Sequence, residues 1–378
     1  MRGVFEVTMN KGLNADRDRN NGIDFLRVLL ALMVITLHYN SSLGQVQVNT
    51  RDLSFNWFFV WFTETLCISA VNIYVIISGY FSFKKNQPIT HVVSKLKRLW
   101  FCLLFYSVME YVVITALYGD GYNIRILIKR LLPVSTGEWW FFSVYFLIYM
   151  MSPVINSFVG DSEEKSHVIM LFSGIVGLCI IPQFLLWKDG LGIDNGYSLI
   201  WFIFLFFSGA LLAKYSNSNL NSRLGKIIRR LERWKLTIFL GCFIALFGSK
   251  VFIAVVSNHL WGEVKYSGVL FSYNSIFVYI MAISLFCIFK NVNIRIQSIS
   301  KMIRIVSPLA LASYLFHCQL DFREKVWPKL ACYKYANEAV LPLMCVITVL
   351  GLFVISALIE LIRTSVVKNV SKLTKSRK

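Results

Sequence analysis

The first hydrophobic segment carries an arginine and a histidine, two residue types that are rare inside membrane-spanning helices. Arg27 and His38 are separated by mostly apolar residues. Eleven steps of about 100° close three helical turns, so both side chains are predicted to share one helix face, roughly 16 Å apart along the axis. Because ionisable groups at this depth are costly and usually line a cavity, the pair predicts a site for a long anionic ligand with a titratable base at its far end. The alternative is that Arg27 snorkels to the interface and His38 is a packing residue.

The composition indicates a membrane protein. Of the 378 residues, 56% are hydrophobic and 16% are charged, which is too little charge for a soluble domain. The apolar residues fall in stretches of about twenty, the length of a helix that crosses a bilayer. We therefore predict an all-α polytopic membrane protein with about ten transmembrane helices, at residues 23–43, 57–83, 98–118, 139–158, 166–187, 197–213, 236–256, 270–289, 306–320 and 339–362.

The net charge of +19 is concentrated in short loops and in the last sixteen residues. This distribution is typical of cytoplasmic loops and anionic headgroups, so we predict contact with membrane lipids and no nucleic-acid partner. Placing the N-terminus in the cytoplasm puts most of the 39 Lys and Arg residues on that side, so both termini are predicted to be cytoplasmic. The predicted regions are an N-terminal arm (1–22), a transmembrane domain (23–362) and a basic tail (363–378).

Three basic residues are predicted to lie at the cytoplasmic level of the membrane. Arg27 offers a planar fork for phosphate, and Lys95 and Arg98 at the start of the third helix add positive charge. Asp24 is placed to orient the Arg27 guanidinium. This set predicts an anion site, although Lys95 and Arg98 also fit ordinary positive-inside topology.

Three further residues are predicted to share the outer half of the membrane. His38 can accept a proton from an attacking hydroxyl, and Glu64 is predicted to orient its imidazole. His317 is a candidate substrate-binding residue in the ninth helix. The alternatives are that Glu64 pairs with another helix and that His317 packs at a helix end. Glu110 is also predicted to be intramembrane, and the sequence assigns it no role.

Trp139 and Trp140 open the fourth helix at the outer face. They fit an aromatic interface belt, and they could also stack against a sugar in an acceptor site. The eight cysteines form no C-x-x-C pair and show no metal-ligand spacing with histidine, so no metal is predicted. Motifs of serine hydrolases, nucleotide-binding loops and zinc proteases do not occur in the sequence.

Taken together and in order, several segments resemble acyltransferase family 3, whose members include bacterial O-acetyltransferases of surface polysaccharides. Lys95 takes the place of the first arginine in a basic R-x-x-R motif, and Tyr149 falls on the second tyrosine of the fourth-helix pattern. The matching segments, from the first to the ninth helix, are IDFLRVLLALMVITLH, VNIYVIISGYFSF, KLKRLW, GEWWFFSVYFLIYMMSPVIN and ASYLFHCQ.

This resemblance implies an O-acyltransferase of the inner (plasma) membrane, in a short form without a soluble esterase-like domain. Its donor would be cytoplasmic acyl-CoA, most simply acetyl-CoA, and its acceptor a hydroxyl of an O-antigen, capsule or exopolysaccharide, on the polymer or on a lipid-linked precursor. His38 corresponds to the family's essential histidine and Arg27 to its arginine. Arg98 and Lys95 correspond to the basic pair, in which lysine loses bidentate recognition of phosphate. Tyr149 joins the two tryptophans and His317 as substrate-binding candidates, with no bound cofactor expected.

Two other functions remain open at the level of the sequence. A surface-polysaccharide polymerase is also basic and multi-spanning, but it would need a larger outer loop than the roughly twenty residues found here. A glycan transporter would be expected to show inverted repeats and helices broken at matching positions in two halves. The sequence shows neither feature and therefore favours acyl transfer.

Overall fold

The structure is a computed structural model that describes residues 20–83, 88–119, 121–184, 189, 192–217 and 221–376. All regular structure in these ranges is helical, and nine of the helices are long and apolar enough to cross a membrane. A tenth helix, Ile276–Lys290, is apolar but shorter. In chain order, these ten helices are α1 (Asn21–Asn40), α2 (Phe55–Ser82), α3 (Ile89–Tyr118), α4 (Trp140–Asp161), α5 (Glu164–Gln183), α6 (Leu199–Ser216), α7 (Arg223–Trp261), α8 (Ile276–Lys290), α9 (Gln297–Cys318) and α10 (Leu341–Asn369).

This architecture confirms the prediction of an all-α polytopic membrane protein with about ten spans. The helix bounds differ most for α7, which begins at Arg223 rather than at 236, and for the last helix, which continues as far as Ser376. Both extensions are rich in Lys and Arg, which are good helix formers but lower the hydropathy that marks a span. The predicted N-terminal arm up to residue 19, and residues 377–378 of the tail, lie outside the described residues.

The ninth predicted span also begins earlier than expected. Pro308 lies inside a short 3-10 turn, Ser307–Leu309, that joins Gln297–Val306 to Ala310–Cys318. A 3-10 turn tolerates proline because its first residues need no backbone N–H donor. Shorter helices fill the connections at the end of the bundle where α1 ends: Val46–Asn49, Ile124–Arg130, Leu320–Lys325 and Trp327–Leu330, with 3-10 turns at Asp194–Gly196 and Cys332–Tyr335.

Helix α1 lies in the centre of the bundle, where it contacts α2, α8, α9 and α10. It begins at a cap in which the Asn20 side chain accepts a hydrogen bond from the Ile23 backbone N–H at 3.0 Å. This cap satisfies one of the N–H groups that lack a partner within the first turn. Arg27 and His38 are therefore held at the two ends of a helix that is packed on several sides.

Helices α2 and α6 cross with their backbones almost in contact. A Cβ atom at Gly79 would lie 2.1 Å from the Phe206 carbonyl oxygen, and one at Gly209 would lie 2.3 Å from the Ile76 carbonyl oxygen. Small residues at such a crossing let two membrane helices approach closely. We call the two ends of the bundle the Arg27 end and the His38 end. The crossing fixes the position of the half of α2 that lies at the Arg27 end.

Candidate active site

The Arg27 guanidinium is held by a buried carboxylate one helical turn away. Its Nη1 donates to Asp24 Oδ1 at 2.9 Å, which is the contact expected from the spacing of the two residues. The Ser307 hydroxyl donates to the same oxygen at 3.1 Å. Asp24 is buried, whereas the Arg27 side chain remains 36% exposed, so its guanidinium is oriented but still accessible to a ligand.

A cavity of about 620 Å³, the Arg27 cavity, opens beside this guanidinium. Lys95 lines it with its Nζ atom 3.8 Å from the centre of the Tyr149 ring. Tyr149, predicted to bind substrate, therefore lies at the Arg27 end. His91 also lines this cavity. It was not identified from the sequence, although its position one helical turn before Lys95 places both side chains on the same face of α3. Arg98, the other predicted member of the basic pair, is exposed and lies outside the residues that line the cavity.

A smaller apolar space of about 80 Å³, the neck, adjoins the Arg27 cavity and is lined by His38. It shares Tyr74, Ala310 and Leu311 with the Arg27 cavity. At its other end, it shares residues that include His38 and Tyr314 with a third cavity. The three spaces adjoin one another along α1, from the guanidinium to the imidazole.

The third space, the His38 cavity, has a volume of about 810 Å³ and is lined by residues from all five connections at its end of the bundle. Trp140 faces it, with its ring centre 4.5 Å from that of Tyr197 and roughly parallel to Tyr273. Trp139 also contributes to the lining but is almost completely buried, and its indole N–H donates to the Leu315 carbonyl at 3.2 Å. Trp140 is therefore the more accessible of the two predicted aromatic residues.

The His38 imidazole contacts a second buried histidine from α9. Its Nδ1 lies 2.7 Å from Nε2 of His317, whose own Nδ1 contacts the Ser313 carbonyl. A carbonyl oxygen only accepts, so His317 Nδ1 carries a proton and, in the neutral ring, Nε2 accepts. His38 Nδ1 must then donate, which leaves the lone pair on His38 Nε2. This tautomer, assigned from hydrogen-bond chemistry, suits His38 as a general base.

Glu64 lines the His38 cavity, but its observed partner is not the one predicted. Its Oε2 accepts a hydrogen bond from the Asn40 side chain at 3.3 Å. The His38 imidazole is hydrogen-bonded to His317 rather than to Glu64. The residue that orients the His38 imidazole is therefore His317 rather than the predicted Glu64. Glu64 instead links α2 to the end of α1 through its hydrogen bond with Asn40. Local spacing did not reveal this because both contacts depend on how separate helices pack.

A buried polar network supports the wall of the His38 cavity. Glu138 accepts hydrogen bonds from Ser107 at 2.5 Å and from Gln319 at 2.8 Å. Arg130 donates two hydrogen bonds to Asp321, at 2.9 and 3.1 Å. Burial raises the pKa of Glu138, while the Ser107 hydrogen bond and the charge of Arg130 oppose this rise. The sequence did not single out this network because its members come from α3 and from two separate connections.

His38, His317 and Cys318 form a group whose ligand atoms lie within 4.8 Å of one another. Such a trio resembles part of a zinc site. However, two nitrogens bound to one tetrahedral zinc ion stand roughly 3.3 Å apart, farther than the 2.7 Å between the histidine nitrogens. That distance fits a hydrogen bond, so these residues match a proton-transfer site better than a metal site. The prediction that no metal is bound stays a prediction.

The geometry brings together a cationic cavity, an apolar neck and a histidine base. Comparison with curated proteins and with solved structures gave no match. Residues 20–361, which are nearly the whole chain, match the family model of acyltransferase family 3, described as an acyltransferase domain. The chain belongs to acyltransferase family 3, as its motifs predicted.

Proposed function

We propose that this membrane acyltransferase moves an acetyl group from cytoplasmic acetyl-CoA to a hydroxyl of an extracytoplasmic glycan. The three adjoining cavities between Arg27 and His38 support this function most directly. They offer a route between opposite ends of the bundle, so donor and acceptor need not be on the same side. The Lys and Arg distribution favours the cytoplasm for the Arg27 end and the inner membrane for the protein.

The Arg27 cavity has the chemistry needed for the phosphates of a coenzyme A donor. Arg27 can bind phosphate through its planar fork, and Lys95 and His91 add donors on the adjoining wall. Arg27 and His38 stand about 16 Å apart along a straight helix, which suits an extended pantetheine arm. The neck between them is lined by apolar side chains and by tyrosines, which suit an uncharged arm whose amides need hydrogen-bond partners. The thioester would then reach His38.

The His38 cavity has the size and chemistry expected for a saccharide acceptor. Its volume of about 810 Å³ is within the range of small-molecule sites. Trp140, Tyr197 and Tyr273 give one wall aromatic faces, against which sugar rings can stack. Glu64 and Glu138 provide hydrogen-bond acceptors for sugar hydroxyls on other parts of the lining. The acceptor would be part of an O-antigen, capsule or exopolysaccharide, on the polymer or a lipid-linked precursor.

The chemistry centres on the unprotonated Nε2 atom of His38. It takes the proton from the acceptor hydroxyl as the hydroxyl oxygen attacks the acyl carbon. The carbon–sulfur bond breaks, and the leaving thiolate recovers the proton from the His38 imidazolium. His317 holds the tautomer and accepts the hydrogen bond from His38 Nδ1 throughout. The tight apolar neck restricts water and so limits hydrolysis of the thioester.

Acyl transfer also accounts for the site better than the two rival functions considered from the sequence. A polymerase or a glycan transporter needs no coenzyme-sized cationic cavity on the face opposite the glycan. Membership of acyltransferase family 3 also supports acyltransferase activity over these two alternatives.

The proposal is tested by label transfer from radiolabelled acetyl-CoA to purified surface glycan in membranes that contain the protein. We expect His38→Ala to lower kcat by at least about a hundredfold, the typical contribution of a general base. Arg27→Ala should mainly raise the KM for acetyl-CoA. Lys97→Ala is the matched control, because Lys97 is exposed on the same helix as Lys95 and does not line the Arg27 cavity. Each variant must accumulate in the membrane and elute as a folded monodisperse species. Unimpaired transfer by His38→Ala would overturn the mechanism.

A further inference from the structure

We propose that Cys318 carries the acyl group as a covalent thioester between the donor and the acceptor. The proposal rests on the proposed function, because it adds one chemical step to the same site. Cys318 is the last residue of α9, directly after His317, and it lines the His38 cavity. Its side chain is a nucleophile of a kind that acyl-transfer enzymes commonly use.

The Cys318 thiol lies beside the proposed base. Its Sγ atom is 3.3 Å from Nδ1 and 3.9 Å from Nε2 of His38. Nδ1 is engaged with His317, so Nε2 is the nitrogen that can receive the thiol proton. A cysteine next to a histidine that is itself oriented by a third group has the pattern of an activated nucleophile.

The position of this thiol differs from that of the other cysteines. All eight cysteines are free, and seven of them are absent from the linings of the three cavities described for this chain. Cys332, for example, is almost completely buried in a separate apolar cluster. Cys318 is also buried, at 6% exposure, but it differs from the other cysteines in lining the His38 cavity, so it is placed at a ligand-sized space.

The order of the cavities places Cys318 beyond the base for a group that arrives from the Arg27 end. His38 lines both the neck and the His38 cavity, whereas Cys318 lines only the latter. A thioester that emerges from the neck meets the Cys318 thiol at the boundary of the space proposed for the acceptor. The thiol is thus positioned to receive the acyl group before the glycan does.

In the first step, Cys318 transfers its thiol proton to His38 Nε2 while its sulfur attacks the acyl carbon of acetyl-CoA. A new carbon–sulfur bond forms to Cys318, the bond to the coenzyme sulfur breaks, and the coenzyme thiolate takes the proton back from His38. One thioester is exchanged for another, so the acyl group remains activated. Arg323 lines the same cavity and can stabilise negative charge on the tetrahedral oxygen.

In the second step, the acceptor hydroxyl gives its proton to His38 and its oxygen attacks the acyl carbon on Cys318. The ester bond forms, the carbon–sulfur bond to Cys318 breaks, and the Cys318 thiolate recovers the proton. No oxidant or further co-reactant is needed. Because the coenzyme can leave before the glycan binds, the relay predicts ping-pong kinetics, with acyl-enzyme accumulating when acceptor is absent.

The direct test is to incubate the full-length protein with radiolabelled acetyl-CoA without acceptor and to quench it in acid. We expect label on the protein that neutral hydroxylamine releases, and a Cys318 peptide heavier by one acetyl group. Cys318→Ala should remove this label and lower glycan acetylation by at least about a thousandfold, as loss of a nucleophile does in other acyl-transfer enzymes. Cys332→Ala is the matched control, and it should keep both label and transfer.

The outcomes separate this proposal from the function on which it rests. Wild-type protein that acetylates glycan but shows no label on Cys318, or Cys318→Ala that transfers at the wild-type rate, would overturn the relay and leave the proposed function intact. Label on Cys318 without transfer to any glycan would support the relay and remove the glycan as acceptor. The peptide measurement uses wild-type protein, so it remains decisive if Cys318→Ala fails to fold.

Discussion

At the scale of single residues, the proposed chemistry depends on a chain of three groups: the His38 and His317 imidazoles and the Ser313 carbonyl. The carbonyl fixes the proton on His317, and His317 in turn fixes the proton on His38. Two histidines can act in this way without a carboxylate because a backbone carbonyl is an acceptor in every protonation state. In the proposed mechanism, His317 is thus a positioning residue, and His38 is the group that contacts the substrate.

His317→Ala should lower kcat by at least about a hundredfold, because His38 loses the acceptor that selects its reactive tautomer. The KM for acetyl-CoA should change little, since His317 is buried away from the Arg27 cavity. His317→Gln should recover part of the loss, because its amide oxygen can accept the same hydrogen bond. Steady-state kinetics of the three proteins provide the measurement. Equal kcat values for His317→Ala and His317→Gln would count against the tautomer relay.

The two members of the predicted basic pair lie in different places: Lys95 lines the Arg27 cavity, whereas Arg98 is exposed outside it. Lys95→Ala should raise the KM for acetyl-CoA by about tenfold, the effect of losing one partly exposed charge-assisted hydrogen bond. Arg98→Ala should have a smaller effect, because Arg98 lies outside the lining of the Arg27 cavity. Initial rates over a range of acetyl-CoA concentrations measure both effects. A larger effect for Arg98→Ala would mean that the donor binds outside this cavity.

At the scale of elements, the close crossing of α2 and α6 holds the Arg27 cavity in shape. Gly79→Ala should destabilise the protein by about 1–3 kcal/mol, because its methyl group would collide with the Phe206 carbonyl and force the helices apart. Gly241→Ala is the matched control, since a Cβ atom there meets nothing within 4 Å in the described structure. Thermal unfolding in detergent should show a lower Tm for Gly79→Ala only. An unchanged Tm for both would contradict the packing account.

Hydropathy predicted most of the helices but not their ends. A hydrophobic stretch marks the part of a helix that fits the bilayer, whereas the helix itself continues as long as its residues favour it. This explains the early start of α7 at Arg223, since its first turns are basic yet helical. It also explains why α9 begins at Gln297 rather than at the predicted position 306, since its first turns are polar and basic yet helical.

The same distinction applies to the site. The shared face of Arg27 and His38 follows from helical periodicity, and the contact of Asp24 with Arg27 follows from local spacing. The pairing of His38 with His317 joins residues 279 positions apart. No local pattern specifies such a contact, because it depends on how α1 packs against α9. The sequence therefore indicated the chemically important residues more reliably than their partners.

At the scale of the whole molecule, the central feature is a small space, the neck, that adjoins two wide cavities. Ala310 lines the neck, and its small side chain is buried at 3% exposure. Ala310→Leu should narrow the passage and lower acetyl transfer by at least about tenfold, since a misplaced thioester loses its reactive geometry. Ala310 also borders the Arg27 cavity, but the proposed phosphate ligands Arg27 and Lys95 are unchanged, so acetyl-CoA binding should persist.

Ala310→Gly is the control that leaves the neck open. Label transfer and equilibrium binding of acetyl-CoA distinguish a blocked passage from a lost donor site. Full activity of a correctly folded Ala310→Leu variant would exclude the neck as the route of the acyl group.

The most direct test of transfer across the membrane is an assay in sealed vesicles of opposite orientation, with radiolabelled acetyl-CoA supplied only in the medium. Inside-out vesicles expose the cytoplasmic face, and glycan acceptor is enclosed in their lumen. We expect labelled luminal glycan in these vesicles, loss of that label with His38→Ala, and no labelling when right-side-out vesicles receive the same external acetyl-CoA. Labelling from the extracytoplasmic face, or undiminished luminal labelling with His38→Ala, would contradict the proposed mechanism.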